Sequence, residues 1–401
     1  MAFILQGKTI LLGVAGSVAA HHAATLASHL AQAGAHVDVV MTHEATQFIG
    51  ALTFETITHR PVVTDTLSLL PDSSIAHIAL AKRADVFVIA PATAPILAKL
   101  AHGFADDPIS AAALATRAPL VIAPAIESAL WENATTRENV RQLCARGATL
   151  VEPGSGRNWL VDVDTIIDAT RAVLGRQGDL AQRKIVITAG GTQEAIDPVR
   201  VIANLSSGRM GFALAEAARD RGAQVTLIAG VTHLRVPRGG IELLSAPTWA
   251  KMWDVVLREI QHADALIMSA AVTDFRPVKS AKQKIKPSAD ETFVLELVRN
   301  QDILGEVARA SSRLVPSDPH PAVVVGFAAE TEDVQKNARK KLESKNLDLI
   351  VAHPVAETAL SETARSWWIP RHTSRAVELP VMAKEEFAGK ILDFIAEQLR
   401  R

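Results

Sequence analysis

Short, continuous apolar runs alternate along the chain with longer segments of helical composition. KTILLGVAG (Lys8–Gly16), HVDVVMT (His36–Thr42), ADVFVIAPAT (Ala84–Thr93), PLVIAPA (Pro119–Ala125) and ATLVEPG (Ala148–Gly154) are too uniformly apolar for strands with one wet face. They predict strands covered on both sides. Helix-like segments such as SVAAHHAATLASHLAQAG (Ser17–Gly34) separate them, which predicts a parallel sheet between two helical layers. A polar stretch with two glycines, GRQGDLAQRK (Gly175–Lys184), reads as a linker. The pattern then starts again with KIVITAGG (Lys184–Gly191), the helical MGFALAEAARDRGA (Met210–Ala223) and QVTLIAG (Gln224–Gly230). DALIMSAAVTDF (Asp264–Phe275), AVVVGFAAET (Ala322–Thr331) and LDLIVAH (Leu347–His353) follow as further strands. The prediction is an α/β chain of two doubly wound, Rossmann-like parallel-sheet domains, 1–178 and 184–401.

Composition narrows the function classes. The 401 residues are 48% hydrophobic, enough for two cores, and the formal net charge of −1 gives no bulk attraction to nucleic acid or anionic lipid. A lone cysteine, Cys144, excludes an intramolecular disulfide and a Cys-based zinc site. Its segment, ENVRQLCARG, reads as a helix with Cys144 as a small core residue. The first residues show no cationic leader, and their apolar run is too short to span a bilayer, so a soluble cytoplasmic protein is expected. With no Tyr in the chain, stacking platforms for single-stranded nucleic acid are not expected.

Candidate chemistry in the first half gathers at strand ends. GVAGSVAA (Gly13–Ala20) joins a strand to a helix with small residues, which lets backbone amides approach a phosphate; close helix–strand packing asks for the same residues. APAT (Ala90–Thr93) and ADDP (Ala105–Pro108) follow the third strand, where open sheets bind ligands. His77 in IAHIALAKRAD is either a packed, hydrogen-bonded histidine or a base at a pocket rim. PAIESALW (Pro124–Trp131) puts an acid, Glu127, at a strand-to-helix turn.

From about Lys8 to Asp168 these stretches, with MTHEATQFI, HIALAKRADVFVIAPATAPILAKLAHGFADD and PAIESALWENATT, resemble the flavin-containing cysteine decarboxylases, in particular phosphopantothenoylcysteine decarboxylase. The resemblance implies FMN bound between subunits of a trimer. Gly13, Val14, Gly16, Ser17 and Thr42 would hold its phosphate and ribityl chain, with Ala92, Thr93 and Asp106 at the neighbouring strand ends, and His77 matches the family's active-site histidine. Two features depart from the family. Its Pro-Ala-Met-Asn is Pro-Ala-Ile-Glu here, so Glu127 replaces the Asn that binds the departing carboxylate. An ionised Glu127 would repel that carboxylate, whereas a protonated one could donate a hydrogen bond. The family's cysteine-bearing clamp is shortened here to EPGSGRNW and holds no cysteine.

The second half carries ITAGGTQEAIDPVRVIANLSSGRMGFALAEAARDRGA (Ile187–Ala223), in which glycines after a strand and Asn-x-Ser-Ser-Gly before a helix make an anion cradle. A dinucleotide or a phosphorylated substrate would fit it. A short-chain dehydrogenase lacks support, because no Tyr-x-x-x-Lys is possible without Tyr. From about Lys184 to Ile395 the chain, with SAAVTDFRP, KIK, NQDIL, VGFAAET and KKLESKNLDLIVA in order, resembles phosphopantothenate–cysteine ligase. Decarboxylase followed by ligase resembles the bacterial bifunctional coenzyme A biosynthesis enzymes.

That resemblance implies attack of the 4'-phosphopantothenate carboxylate on the α-phosphate of CTP, with Mg2+, and displacement of CMP by the cysteine amine. Lys284 would serve the first step, although within KSAKQKIK it could equally be a solvated lysine. Asn204 would stabilise the acyl-cytidylate. Met268, Ser269, Ala270 and Asp274 would contact the nucleotide. Asn300, Gln301, Asp302, Ile303 and Phe327 would line its base pocket, and Lys341 and Lys345, on one helix face, would reach the triphosphate unless they are plain surface charge. The preference for CTP over ATP comes from the resemblance alone. His353-Pro354 stands where the family has Asn-Asp, and PVAETALSETARSWWIP lacks the family's usual turn. Trp367 and Trp368 read as strand residues of a core or dimerisation segment. The family pattern implies decarboxylase trimers and ligase dimers joined into a dodecamer. The alternatives are a working ligase beside a flavin half that only scaffolds or stops at the enethiol, and an NAD-dependent reductase with two Rossmann-like halves.

Overall fold

The computed structural model describes residues 3–152, 161–286, 292–313, 321–354, 363–373 and 375–400. They form two compact units, Met1–Arg176 and Gln177–Arg401.

In the first unit the strands are β1 (Thr9–Val14), β2 (His36–Met41), β3 (Val62–Val63), β4 (Val86–Ala92), β5 (Leu120–Pro124) and β6 (Thr149–Leu150). The helices are α1 (Ala20–Gln32), α2 (Ala51–Thr58), α3 (Ala76–Arg83), α4 (Ala94–His102), α5 (Pro108–Ala115), α6 (Ser128–Glu132), α7 (Ala134–Ala145) and α8 (Val163–Gly175). The sheet is parallel in the order β3-β2-β1-β4-β5-β6, so the strand order reverses between β1 and β4. The continuous apolar runs are explained by burial on both faces, since all of β4 is buried. Helix α1 buries Ala20, Ala23, Leu26, Ala27 and Leu30, one stripe at helical spacing, and the chain turns off it at Gly34 with φ +86°. Cys144 is exposed rather than a core residue. On α7 it is Val140 and Leu143 that face inward, and one further residue turns about 100° away to solvent.

The second unit contains β7 (Lys184–Ala189), β8 (Gln193–Ala195), β9 (Val201–Ala203), β10 (Gln224–Ala229), β11 (Ile241–Ser245), β12 (Ala265–Met268), β13 (Phe275–Pro277), β14 (Leu297–Arg299), β15 (Val323–Glu330), β16 (Leu349–Pro354), β17 (Thr363–Pro370) and β18 (Val377–Ala383). Its helices are α9 (Arg209–Arg219), α10 (Trp249–Glu259), α11 (Ile303–Arg313), α12 (Val334–Ser344) and α13 (Lys384–Gln398). The main sheet runs β11-β10-β7-β12-β15-β16-β17-β18, with its reversal between β7 and β12. Its first six strands are parallel, whereas β17 and β18 are antiparallel additions. The uniformly parallel second sheet expected from the sequence is therefore a mixed one. Trp368 on β17 packs edge-on against Phe394 of α13, with ring centroids 5.7 Å apart, so this strand serves the core.

Two expectations need local correction. The run Asp264–Phe275 is not one strand: β12 stops at Met268, where Ser269 donates to the Thr188 carbonyl and the chain turns into a loop. The expected linker is partly docked, because Leu180 is fully buried, its amide donates to the Arg221 carbonyl at 3.0 Å, and Asp179 pairs with the Arg221 guanidinium. Among the described residues no helix is long and apolar enough to cross a membrane.

Helix α9 lies so close to β7 that a Cβ at Gly211 would sit 2.5 Å from the Ala189 Cβ and 2.8 Å from the Ser269 hydroxyl. Gly389 on α13 has nothing within 4 Å of its would-be Cβ. The same substitution should act with opposite sign at the two positions. Gly211→Ala should destabilise by about 2 kcal/mol through overpacking, while Gly389→Ala should stabilise by up to about 1 kcal/mol through helix propensity. Denaturant midpoints of the two variants against the parent check this.

Candidate active sites

Each unit gathers its chemistry where its strand order reverses, at the carboxyl ends of parallel strands. In the first unit three backbone hydrogen bonds lace these ends together. The Thr42 amide donates to the Val14 carbonyl (3.1 Å), Ala15 to Pro91 (3.2 Å) and Ala125 to Ala92 (2.9 Å). The loops after β1, β2, β4 and β5 therefore share one edge. Gly16 is required by this approach, because a Cβ there would lie 2.4 Å from the Glu44 Cβ. Gly13 answers a different demand: it sits inside β1, where a Cβ would press on the Phe87 ring at 3.0 Å. Val14 and Ala92 are buried strand residues. The Ser17 hydroxyl accepts from the Ala19 amide, and the Thr42 hydroxyl accepts from the Ala45 amide.

Thr93 occupies the N-cap position of α4, yet its hydroxyl makes no capping bond. Asp106 pairs with Lys99 at 2.8 Å, and the hydrogen bond from Lys99 holds its carboxyl below the ordinary range. His77 stands in the first turn of α3, whose Ala76 packs in the same core cluster as Ala15, Ala92 and Ile126. Its Nδ1 is buried with no hydrogen-bond partner among the described residues, so it is not the satisfied packing histidine that the helix context allowed. Glu127 is the N-cap of α6. Its carboxylate accepts from the Ala129 amide and the Ser128 hydroxyl, both at 3.0 Å. Apart from Glu152, the shortened clamp lies outside the described residues, as do residues 355–362 after β16.

In the second unit four loops converge on a glycine pair. Gly190 (φ +74°) and Gly208 (φ +78°) take left-handed backbone, and a Cβ at Gly191 would lie 2.9 Å from the Asn204 carbonyl. The Ala271 amide donates to the Gly190 carbonyl at 2.8 Å, and the Val231 amide to that of Gly191 at 2.8 Å. Asn204 is exposed and its Nδ2 donates to the Val272 carbonyl at 2.9 Å. Met268 closes β12 in the core, and the Ala270 amide donates to the Thr188 hydroxyl at 3.0 Å. Thus Asn204, Ser269 and Ala270 share one rim.

Asp274 is exposed, and its carbonyl accepts from the Asn300 amide at 2.8 Å. Both ends of the Asn300 side-chain amide bond within the protein. Gln301 is exposed and Ile303 is buried at the start of α11. Lys284 is exposed in a loop pinned by Ala281 to Ile196 and by the Ile285 amide to Asp197. No hydrogen bond or ion pair ties Lys284 itself to the rim among the described residues.

Lys341 and Lys345 are not free surface charge. Lys341 donates to the Phe327 carbonyl at 2.7 Å, and Lys345 pairs with Asp302 at 2.8 Å. Burial, and then the charge of Lys345, push the Lys341 ammonium down to about 8 against the opposing pull of Asp302, Glu330 and Asp274. His353 meets the Phe327 ring edge-on at 6.4 Å, and burial, followed by Lys384 and Lys341, lowers it to about 4. Sequence reasoning passed over the buried Thr188, Thr192, Glu194 and Thr273. Thr188 and Thr273 stand at the ends of otherwise apolar runs, whereas Thr192 and Glu194 carry no such signal within GGTQEAID.

These two groups give a titration test. Lys341 keeps its charge below about pH 8 and loses it above, so its hold on an anion should weaken as pH rises through that value. His353 should stay neutral at every pH above about 4. Lysine- and histidine-selective NMR, assigned through Lys341→Arg and His353→Asn, should show one ammonium titrating early and one imidazole silent between pH 5 and 8. A Lys341 titrating at the ordinary lysine value would contradict this geometry.

Comparison with known proteins gives two family matches. The Flavoprotein family matches residues 4–175, and the family described as DNA/pantothenate metabolism flavoprotein C-terminal domain matches residues 180–399. The coenzyme A biosynthesis bifunctional protein CoaBC of Mycobacterium bovis is 39% identical over 405 residues, covering 97% of this chain and 96% of the relative. That of Vibrio cholerae is 39% identical over 409 residues, covering 98% and 99%. Among solved structures, the C-terminal domain of a coenzyme A biosynthesis bifunctional protein CoaBC is 34% identical, covering 56% of this chain and 98% of that one with a TM-score of 0.46. By its near full-length identity to these relatives, the chain belongs to the family of the coenzyme A biosynthesis bifunctional proteins CoaBC.

Proposed function

We propose that the second unit joins 4'-phosphopantothenate to cysteine at the expense of CTP, and that the first unit decarboxylates the product to 4'-phosphopantetheine. The observation that carries the ligase is the pairing of the glycine cradle with Lys341, a buried ammonium donating to the Phe327 carbonyl. Phosphoryl activation needs fixed positive charge where the pyrophosphate leaves. Lys341 and Lys345 supply it from one side, and the exposed Lys284 from another. Asn204, whose Nδ2 already reaches over the rim to Val272, would hold the acyl-cytidylate while the cysteine amine attacks. Met268, Ser269, Ala270 and Asp274 would bound the nucleotide on one wall, and Asn300–Ile303 with Phe327 on the other. Mg2+ would enter with the triphosphate; among the described residues no group of three or more His, Cys, Asp or Glu side chains could hold it alone.

In the first unit the residues fit FMN. The unpartnered His77 Nδ1 and the uncapped Thr93 hydroxyl are polar atoms that lack the protein bonds such groups usually make. When bound, FMN supplies the two-electron acceptor that lets the carboxylate leave as CO2. Gly16, Ser17 and Thr42 would hold its phosphate end, Gly13 and Val14 would support that loop from β1, and Ala92, Thr93 and Asp106 would border its other side. His77 Nδ1 is free to exchange a proton with the substrate thiol. A homo-oligomer is supported by the exposed apolar side chains Leu52, Leu67 and Phe104 of the first unit and Val199, Val201 and Phe275 of the second.

One observation favours a second reading for the first unit. The Glu127 carboxylate already accepts two hydrogen bonds at the place where the family presents Asn to the departing carboxylate. Two acids meeting there would repel, which favours a working ligase beside a halted flavin half.

The test is purified protein with bound flavin measured by absorbance, given 4'-phosphopantothenate, cysteine, CTP and Mg2+, with products read by mass spectrometry. Phosphopantetheine establishes both halves. Phosphopantothenoylcysteine with pyrophosphate supports the second reading, and Glu127→Asn should then raise decarboxylation. Absence of pyrophosphate overturns the ligase.

A further inference from the structure

Beneath the rim of the second unit, side chains and backbone close into a ring. Glu194 Oε1 accepts the Trp249 amide at 2.7 Å and the Thr273 hydroxyl at 3.1 Å. The Thr273 carbonyl accepts from Asn300 Nδ2 at 2.8 Å, and Asn300 Oδ1 accepts from Arg276 Nη1 at 2.6 Å. The Arg276 guanidinium lies 4.9 Å above the Trp249 ring, which closes the circle. Two further bonds widen it: Trp249 Nε1 donates to the Gln301 carbonyl at 2.9 Å, and the Thr273 amide to the Thr192 hydroxyl at 2.9 Å. Glu194, Thr273 and Asn300 are 7%, 2% and 7% exposed, so the bonds that link these three are shielded from water.

The ring spans two stretches that leave the β13–β14 pair side by side, joined at its end by the bond from the Asn300 amide to the Asp274 carbonyl, and it ties them together beyond that ladder. One is the loop after β12, Ser269–Asp274, and the other is Asn300–Ile303 ahead of α11. These are the two walls that the proposed ligase uses for its nucleotide, and the inference rests on that reading. The structure assigns Glu194 as the positioning residue of this site: beyond the β13–β14 ladder, through Thr273 and Trp249, it fixes the spacing of the two walls without touching the nucleotide. Its place favours the task. It sits on β8 beside the first turn of α10, where the helix dipole welcomes an acidic group, and it accepts the first amide of that helix. Thr248 separately caps the same helix through the Lys251 amide, so α10 does not depend on Glu194 alone to begin.

Arg276 is the second pillar. Its planar fork meets Asn300 while its face meets Trp249, and lysine could not do both. A purely structural role for Glu194 would lower stability and all catalytic constants together. A positioning role predicts a split, because only the nucleotide is gripped between the two walls.

The test uses the full-length enzyme with its flavin and measures pyrophosphate release. Glu194→Ala removes the acceptor of two hydrogen bonds and should raise KM for CTP about tenfold, while leaving KM for cysteine within about twofold. Glu194→Gln keeps an Oε1 acceptor and should bring KM for CTP back to within about threefold of the parent. Arg276→Lys, which retains charge but loses fork and stacking, should raise KM for CTP about fivefold. If Glu194→Ala fails to fold, the Glu194→Gln and Arg276→Lys pair still decides. Unchanged KM for CTP in Arg276→Lys, or an equal fall in every constant in any variant, overturns the inference. A parent enzyme that releases no pyrophosphate overturns the ligase reading itself, so the two failures are distinguishable.

Discussion

Both units depend on the geometry of parallel strand pairing. Parallel neighbours cannot be joined by a tight turn, so each strand of the parallel part is followed by a crossover, and those strands all end on the same edge. Where the order reverses, between β1 and β4 and between β7 and β12, the crossovers leave to opposite faces and a crevice opens. The residues proposed to carry chemistry follow from that constraint. Ser17 and Thr93 flank the first crevice, and Gly190 and Ala270 flank the second. The small residues at these ends are needed twice over, since Gly16 and Gly191 let loops meet and Gly13 and Gly211 let core layers meet.

Electrostatics differ between the two crevices. The second unit concentrates cations in partial burial, with Lys341 on α12, Lys345 at its C-cap and Lys384 near His353, balanced by Asp302, Glu330 and Asp274. Such a group is costly without an anion and favourable with one, which suits a site that takes and releases polyphosphate. Among the described residues the first unit has no comparable cluster in its crevice: Lys99 is held by Asp106 and Asp107, and the unpaired polarity is the ring edge of His77. The architecture is shared and the charge pattern is not, as the chemistry of ligation and of decarboxylation would require.

Much of this was legible from the residues. The strands stand out because burial on both faces leaves no alternation to confuse with helix, and the glycine-rich turns mark their carboxyl ends. What escaped reading was set by distant partners. The run Asp264–Phe275 looks like one strand until Ser269 finds the Thr188 carbonyl across the sheet. Lys341 in KKLESK looks solvated because nothing local shows that Phe327 covers it. Cys144 is one residue out of phase with the buried stripe of α7. Glu194 is an ordinary polar residue in TQEAID until Trp249, some fifty positions on, closes over it. Periodicity reports which face is buried, but not which polar atoms will meet there.

Glu127 carries one more consequence. As the N-cap of α6 it does for the backbone what Asn133 does one helix later, each side chain accepting the amide two residues on. The capping bond at this turn can therefore be made by Asn or by Glu, while the departing carboxylate of the proposed reaction would distinguish them. Folding and turnover are selected separately at this position. A lineage could drift across it with no loss of soluble protein, and a screen for expression or thermal resistance would be blind to the change.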